Sequence, residues 1–136
     1  METDELRRRF AASPVARLST VRPDGRPHVV PIVFALVGDA VFSAVDAKPK
    51  RSTDLQRLVN VRAEPRCAVL VDHYDDDWRR LWWVRADGVA EVVDKPSGHP
   101  GIQALVQRFS QYRDEPPSGP LLVVTVQGWT GWTSTP

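Results

Sequence analysis

Val41-Phe42-Ser43-Ala44-Val45-Asp46-Ala47-Lys48-Pro49-Lys50-Arg51-Ser52-Thr53-Asp54-Leu55 runs from an apolar strand, through a basic elbow, into an amphipathic helix. Leu55, Leu58 and Val59 have the i, i+3, i+4 spacing of one apolar helix face, and Ser52 or Thr53 is placed to cap it. Lys48, Lys50 and Arg51 crowd together just before that helix. Free N–H groups at a helix start, the positive end of its dipole, fixed cations and two hydroxyls all favour an anion, so the elbow is the candidate site for a phosphate or carboxylate. A charge run is by default a solvated face; the position of this one at the end of a strand is what sets it apart.

On the N-terminal side, Gly38-Asp39 turns the chain into the strand at 40–45 from a β-rich run at 28–36. Pro31 inside that run cannot donate to a ladder, so the strand is expected to be bulged or at an edge there, with backbone groups left for a ligand. Arg22-Pro23-Asp24-Gly25-Arg26 joins it to the run 16–21 as a hairpin, giving three consecutive antiparallel strands. Thr3 is placed to cap a short helix through about residue 12. On the C-terminal side, Pro65 ends the helix expected over about 53–63, and 66–72 reads as a short, central, almost wholly apolar strand. After the acidic loop Asp72-His73-Tyr74-Asp75-Asp76-Asp77 a strand is expected at 78–86. Asp87-Gly88 is then either a type I′ hairpin turn before 89–93 or a bulge in one long bent strand. Pro100 suits the first turn of a helix striped by Ile102, Leu105, Val106 and Phe109. Residues 113–120, with Pro116, Pro117, Gly119 and Pro120, fit neither helix nor strand, and a last strand runs from 121 to about 129. About six strands, two or three helices and no βαβ alternation argue for the α+β class: a closed or nearly closed antiparallel barrel with helices at its ends.

A chain of 136 residues supports one domain, 1–136. A net charge of +1 gives no reason to expect nucleic acid or membrane as a partner. The N-terminus opens with acids and lacks an apolar core of signal-peptide type, no run approaches a membrane span, and a cytoplasmic protein is expected. The single Cys67 lies in an apolar run and reads as a core residue, with no disulfide possible inside one chain.

The acidic loop offers hard oxygen ligands and an imidazole, but it lacks the alternating ligands and turn glycine of a calcium loop, and neither His28 nor His99 completes a zinc pattern. It reads as a solvated turn. No Gly-x-Ser-x-Gly elbow exists, Cys67 has no evident base, and Asp24 and His28 read as turn and surface residues. Trp82 and Trp83 are adjacent in a strand, so they point to opposite faces. Trp78, Trp129 and Trp132 lie at strand ends, where flat aromatic surface serves an interface or a planar ligand. Together with Pro31 and the basic elbow they suggest a planar ring near a subunit interface, its anionic tail held by cations.

Arg17-Leu18-Ser19-Thr20-Val21-Arg22-Pro23-Asp24-Gly25-Arg26-Pro27-His28-Val29-Val30-Pro31, then Val41-Phe42-Ser43, the Lys-containing elbow, and Leu58-Val59-Asn60-Val61-Arg62-Ala63-Glu64-Pro65-Arg66 resemble the pyridoxamine 5′-phosphate oxidase-like split β-barrel proteins, and within them the branch that uses the deazaflavin coenzyme F420. The resemblance covers roughly residues 14 to 132 and rests on the order and spacing of several motifs. It implies a homodimer of six-stranded antiparallel split β-barrels with flanking helices and two cofactor sites at the interface. It matches Lys48, Lys50 and Arg51, with Ser43, to the phosphate, and Val30, Pro31, Ile32 and Val33 to the plane of the ring. Trp78, with Trp83 or Trp132, corresponds to aromatics supplied by the other subunit. It also favours the long bent strand at Asp87-Gly88. Pyridoxamine phosphate oxidases end in an Arg-Leu-x-Pro segment that grips substrate; this chain ends Gly131-Trp132-Thr133-Ser134-Thr135-Pro136, so that oxidation is not expected. The elbow is more basic than flavin mononucleotide (FMN) requires and suits the more anionic deazaflavin tail. The preference for Arg over Lys points to a GC-rich, actinobacterial genome.

The resulting expectation is a coenzyme F420-dependent oxidoreductase passing hydride between the deazaflavin and a planar or conjugated small molecule, with Arg80, Arg113 or Tyr112 as candidates to orient or protonate it. An FMN- or haem-binding barrel is the alternative, with His28, His73 or His99 as axial ligand for haem. A non-catalytic barrel binding single-stranded nucleic acid is the second alternative; near-zero net charge and the absence of a continuous basic strand face count against it.

Overall fold

The computed structural model describes residues 1–45 and 55–136. Side-chain alternation sets the faces of its strands. In β1 (Ala16–Val21) Ala16, Leu18 and Thr20 are buried while Arg17 and Val21 face outward, the period of an antiparallel strand covered on one side. β2 (Pro27–Ile32) returns along it with Arg17 opposite Pro31 and Thr20 opposite His28. The turn between them is the expected one: Gly25 has φ 91°, and the Arg22 N–H donates to the Arg26 carbonyl at 2.8 Å.

β3 (Ala35–Val37) and β4 (Ala40–Ala44) make a second hairpin, and β5 (Arg66–His73), β6 (Trp82–Val93) and β7 (Leu121–Thr133) complete one antiparallel sheet. It has seven strands in the order β2-β1-β5-β6-β7-β4-β3, so among the described residues β2 and β3 are its edges and it does not close. The six-stranded expectation is corrected at one point. The run 28–36 is two strands, broken at Val33-Phe34, because Phe34 turns wholly into the core against Phe10, ring centroids 5.0 Å apart. The three strands expected to be consecutive neighbours are likewise separated, since β4 pairs with β7 and β3, and not with β2. Ile32, Leu18, Val69, Val84, Val124 and Val41 share one core, so the sheet wraps round until its β2 side faces its β4 side. The result is an open barrel.

Hydrogen-bond parity explains why β2 can be an edge. Arg22 and Arg26 form a bonded pair, and bonded pairs alternate along an antiparallel ladder. Counting along the register, His28, Val30 and Ile32 face β1, whereas Pro27, Val29 and Pro31 direct their backbone groups away from it. The missing N–H groups of both prolines therefore fall on the open side, where the ladder loses nothing.

At Asp87-Gly88 the chain continues as one bent strand. The register with β7 shifts there, Asp87 opposite Gly128 and Gly88 opposite Val126, which leaves Gln127 as the extra residue of a bulge. The strand expected from 78 begins only at Trp82; Trp78–Arg80 is a 3-10 turn whose first N–H groups are engaged by Asp77, which accepts from Arg79 at 3.1 Å.

Helices cover what the sheet leaves bare. α1 (Thr3–Ala12) buries Leu6 and Phe10; Thr3 is its first residue and not its cap, a position held by Glu2. α2 (Gln56–Ala63) begins after Leu55 and lies over β1, where buried Asn60 donates to Thr20 Oγ1 at 2.9 Å and accepts from Gln56 at 2.7 Å. The Ser52 or Thr53 cap lies outside the described residues. α3 (Pro100–Arg108) carries Pro at its start, and the His99 ring Nδ1 accepts the Gly101 N–H at 2.9 Å. With the short α4 (Ser110–Asp114), absent from the sequence reading, it covers the outer face of β3, β4 and the first half of β7 around Phe42, Leu105, Leu121 and Val123. Among the described residues no helix is long and apolar enough to cross a membrane.

Asn60→Leu is expected to destabilise the chain by about 2 kcal/mol, because it strips a partner from Thr20 in a dry site. Thr20→Val together with Asn60→Leu should recover part of that loss in a denaturant titration, both polar groups then being gone.

Candidate functional site

The open edge of β2 and the end of β4 meet at a pocket of about 160 Å³ lined by Pro31, Ile32, Val33, Ser43, Ala44, Val45, Leu55 and Arg57. Two physical features place it there. Val33 continues the parity of Pro31, so its carbonyl also points away from β1, and the Ser43 hydroxyl donates to it at 2.9 Å across the gap. Beyond that bond the walls stay apart, since Pro31 has no N–H with which to continue a ladder.

Four of the residues matched to the cofactor by sequence, Pro31, Ile32, Val33 and Ser43, thus line one cavity. Val30 does not; it packs against the core two residues before Ile32. Lys48, Lys50 and Arg51 lie outside the described residues, but Val45 and Leu55, which flank residues 46–54 in the sequence, both line the pocket. Arg57 was missed by the sequence reading. The only available signal was a cation one turn into the helix that follows the elbow, which composition alone cannot separate from a solvated residue.

Along the same strand, His28 is half-buried with its Nδ1 out of solvent and without a partner among the described residues. Burial first, then the charges of Arg22 and Arg57, hold its pKa below the usual histidine range. It is therefore neutral at pH 7, a partly exposed residue whose Nδ1 alone is withdrawn from solvent. Asp24 is a turn residue, accepting from the Arg26 guanidinium at 2.8 Å.

The tryptophans lie elsewhere. Trp82 packs against the core and Trp83 faces outward, the opposition that adjacency in a strand requires. Trp83 borders a wide groove of about 530 Å³ on the outer face of β1, β5 and β6, with Val29, Leu70 and Tyr74 as apolar lining and Arg17, Asp72 and Arg85 as charges. The charges are internally paired, Arg17 with Asp72 at 3.7 Å and Arg85 with Asp87 at 3.0 Å. Trp132 stands directly opposite Trp83 across the β6–β7 ladder and is 42% exposed; Trp78, on the 3-10 turn, is 77% exposed. None of the three borders the pocket in its own chain, although β2 belongs to both places, Val29 lining the groove and Pro31 the pocket. Trp129, by contrast, is held by the core, 5.1 Å edge-on from Phe10, and donates to Asp39 at 3.1 Å.

In the acidic loop Asp75 engages His73 at 2.8 Å and accepts the Asp77 N–H at 2.8 Å, so much of its hydrogen-bonding capacity is spent within the loop. Cys67 is half-buried between Ala68 and Arg66 beside Asp87. Burial, and to a lesser degree Asp87, pushes its thiol up from 9.0 to about 11. The thiolate fraction at neutral pH is then about 100-fold below that of an ordinary thiol. Alkylation by iodoacetamide is expected to be slower by about that factor in the native chain than in urea at the same pH; equal rates would remove the buried-thiol assignment.

An open antiparallel barrel whose pocket lies between an edge strand and the end of a neighbouring hairpin defines a split-barrel protein. The chain belongs to the pyridoxamine 5′-phosphate oxidase family, whose profile matches residues 2–133. Among solved structures it is similar to a conserved hypothetical protein of Mycobacterium tuberculosis, with 22% identity and a TM-score of 0.77 over 98% of this chain and 86% of that one. It is also similar to an FAD-binding protein of Mesorhizobium loti, with 22% identity and a TM-score of 0.73 over 96% and 92% of the two chains. The haem storage protein HutZ of Vibrio cholerae shares 17% identity and a TM-score of 0.70 over 96% and 93%. At such identities the likeness is one of fold. No curated protein matches the sequence.

Proposed function

We propose that the chain is a homodimeric oxidoreductase that holds coenzyme F420 at the pocket between β2 and β4 and passes hydride between its deazaflavin ring and a planar or conjugated small molecule. The observation that carries this reading is the meeting of Pro31, Ile32, Val33 and Ser43 in one cavity, with Val45 and Leu55, the residues flanking the basic elbow, on its wall. The donor set fits an anionic planar ligand. The free edge of β2 offers the Val29 N–H and the Val29 and Pro31 carbonyls to the polar rim of a ring. Apolar Pro31, Ile32 and Val33 give it a face. Arg57, and from the elbow Lys48, Lys50 and Arg51, supply cations for a phosphate.

When bound, the deazaflavin supplies the hydride chemistry. The chain's own part is to fix the ring against β2, keep water from one face and neutralise the tail. A pocket of about 160 Å³ is smaller than the several hundred cubic ångströms a whole cofactor needs, so a second wall is required. A second copy of the chain supplies it in this reading, with exposed Trp78, Trp83 and Trp132 as the aromatics it brings. Sedimentation is expected to give the mass of two chains; a stable monomer that still binds the coenzyme tightly would remove the shared site.

Titration with coenzyme F420 and with FMN, followed by quenching of tryptophan fluorescence, tests the reading directly. Tighter binding of F420 is the expected result. A flavin or haem reading is favoured by the M. loti and V. cholerae neighbours, one described as FAD-binding and the other as haem-storing. A yellow preparation releasing flavin on denaturation, or a Soret band on haem addition, would move the assignment there.

A further inference from the structure

Arg108, the last residue of α3, is a cation in an unusual setting. It is half-buried, and no carboxylate lies within ion-pair distance of it among the described residues. Its guanidinium donates from Nη1 to the Phe34 carbonyl at 2.6 Å and from Nη2 to the Ser13 carbonyl, and it stacks between the rings of Phe34 and Phe109 at 4.8 and 5.2 Å from their centroids. Desolvation lowers its pKa, so the charge is held here at a cost that the two carbonyls it grips must offset. A planar fork of donors grips two carbonyls from two segments with two separate nitrogens in a fixed geometry, where a methionine has no donor and a lysine only one rotatable ammonium.

The gripped carbonyl of Phe34 is the neighbour of the Val33 carbonyl, which accepts from Ser43 at 2.9 Å. Val33 and Phe34 are the two residues that separate β2 from β3. With successive carbonyls tied to different partners, the peptide plane between them has one orientation, and that orientation sets where Val33 stands in the pocket wall. We propose that Arg108 is a positioning residue of the pocket, fixing the break between β2 and β3 from behind so that Val33 and the open edge of β2 meet the ligand in one geometry. This rests on the reading of the pocket as the cofactor site.

The test compares Arg108→Lys and Arg108→Met with Asp39→Asn, which breaks a staple on another side of the barrel, where Asp39 accepts from Arg7 at 2.8 Å and from Trp129 at 3.1 Å. Three quantities are read: thermal midpoint, dissociation constants for coenzyme F420 and FMN, and amide hydrogen exchange at residues 33–35 without ligand. Both Arg108 variants are expected to weaken the better ligand by about tenfold, the effect of one lost charge-assisted hydrogen bond, and to speed exchange at 33–35 with the rest of the sheet unchanged. Asp39→Asn should lower the midpoint comparably with neither effect. Where Arg108→Met does not fold, Arg108→Lys, which keeps the charge and the stem, carries the test. Unchanged dissociation constants and exchange in Arg108→Lys, with only the midpoint lowered, would overturn the proposal. Wild-type protein that binds neither ligand would discard the cofactor reading, and exchange at 33–35 would then decide alone whether Arg108 holds the segment.

Discussion

Gly88→Ala is expected to cost about 3 kcal/mol or more of folding stability, a large part of what a domain of this size has. A Cβ at Gly88 would stand 2.3 Å from the Thr125 carbonyl oxygen, 3.0 Å from its carbon and 3.1 Å from Val124 Cγ1. The obstacle is backbone in the middle of the β6–β7 ladder, so no rotamer change relieves it; β7 must move, and with it the bulge at Gln127 that holds the two halves of the ladder in register. Gly128→Ala is the control, since a Cβ there meets nothing within 4 Å, and its effect is expected within about 0.5 kcal/mol. Denaturant midpoints at unchanged slope would read both. A Gly88→Ala midpoint equal to wild type would show that the bulge is not held as described.

Replacing Lys48, Lys50 and Arg51 together by alanine is expected to weaken coenzyme F420 by at least about 100-fold, the equivalent of losing two charge-assisted hydrogen bonds to a phosphate. Lys50→Ala alone should give about tenfold. Riboflavin, which carries the ring and no phosphate, should bind the triple variant as it binds wild type, and added salt should weaken F420 far more in wild type than in the variant. Undiminished F420 binding by the triple variant would detach the basic elbow from the pocket and leave Arg57 as the one lining cation among the described residues.

How far the sequence could be read depended on whether a residue's neighbours along the chain decide its conformation. Pro23-Asp24-Gly25 specifies a turn by itself, and the hairpin is where it should be. Pro31 announces an edge because its missing donor is a local fact. Residues 28–36, uniformly apolar, carry no such mark: nothing local says that Phe34 abandons the strand, since its reasons are Phe10 and Arg108, far away in sequence. Asp87-Gly88 left two readings, and cross-strand packing on Thr125 chose between them. The candidate site divides in the same way. Pro31 was legible as a strand edge, and the resemblance added Ile32, Val33 and Ser43, whereas Arg57 and Arg108 carried no signal in the sequence because only the folded chain brings one guanidinium to the pocket and the other to the Phe34 carbonyl. Trp83 was correctly expected to oppose Trp82, but its distance from the pocket within one chain is a property of the sheet's curvature, which alternation does not encode.

The parity of β2 has one more effect. An uncovered strand border normally invites extension by any other extended peptide, the first step toward fibrils. Here Pro27 and Pro31 remove the donors on either side of Val29, so an incoming chain would find a single amide where a growing stack needs several. The border can stay bare while being unfit as a template for polymerisation.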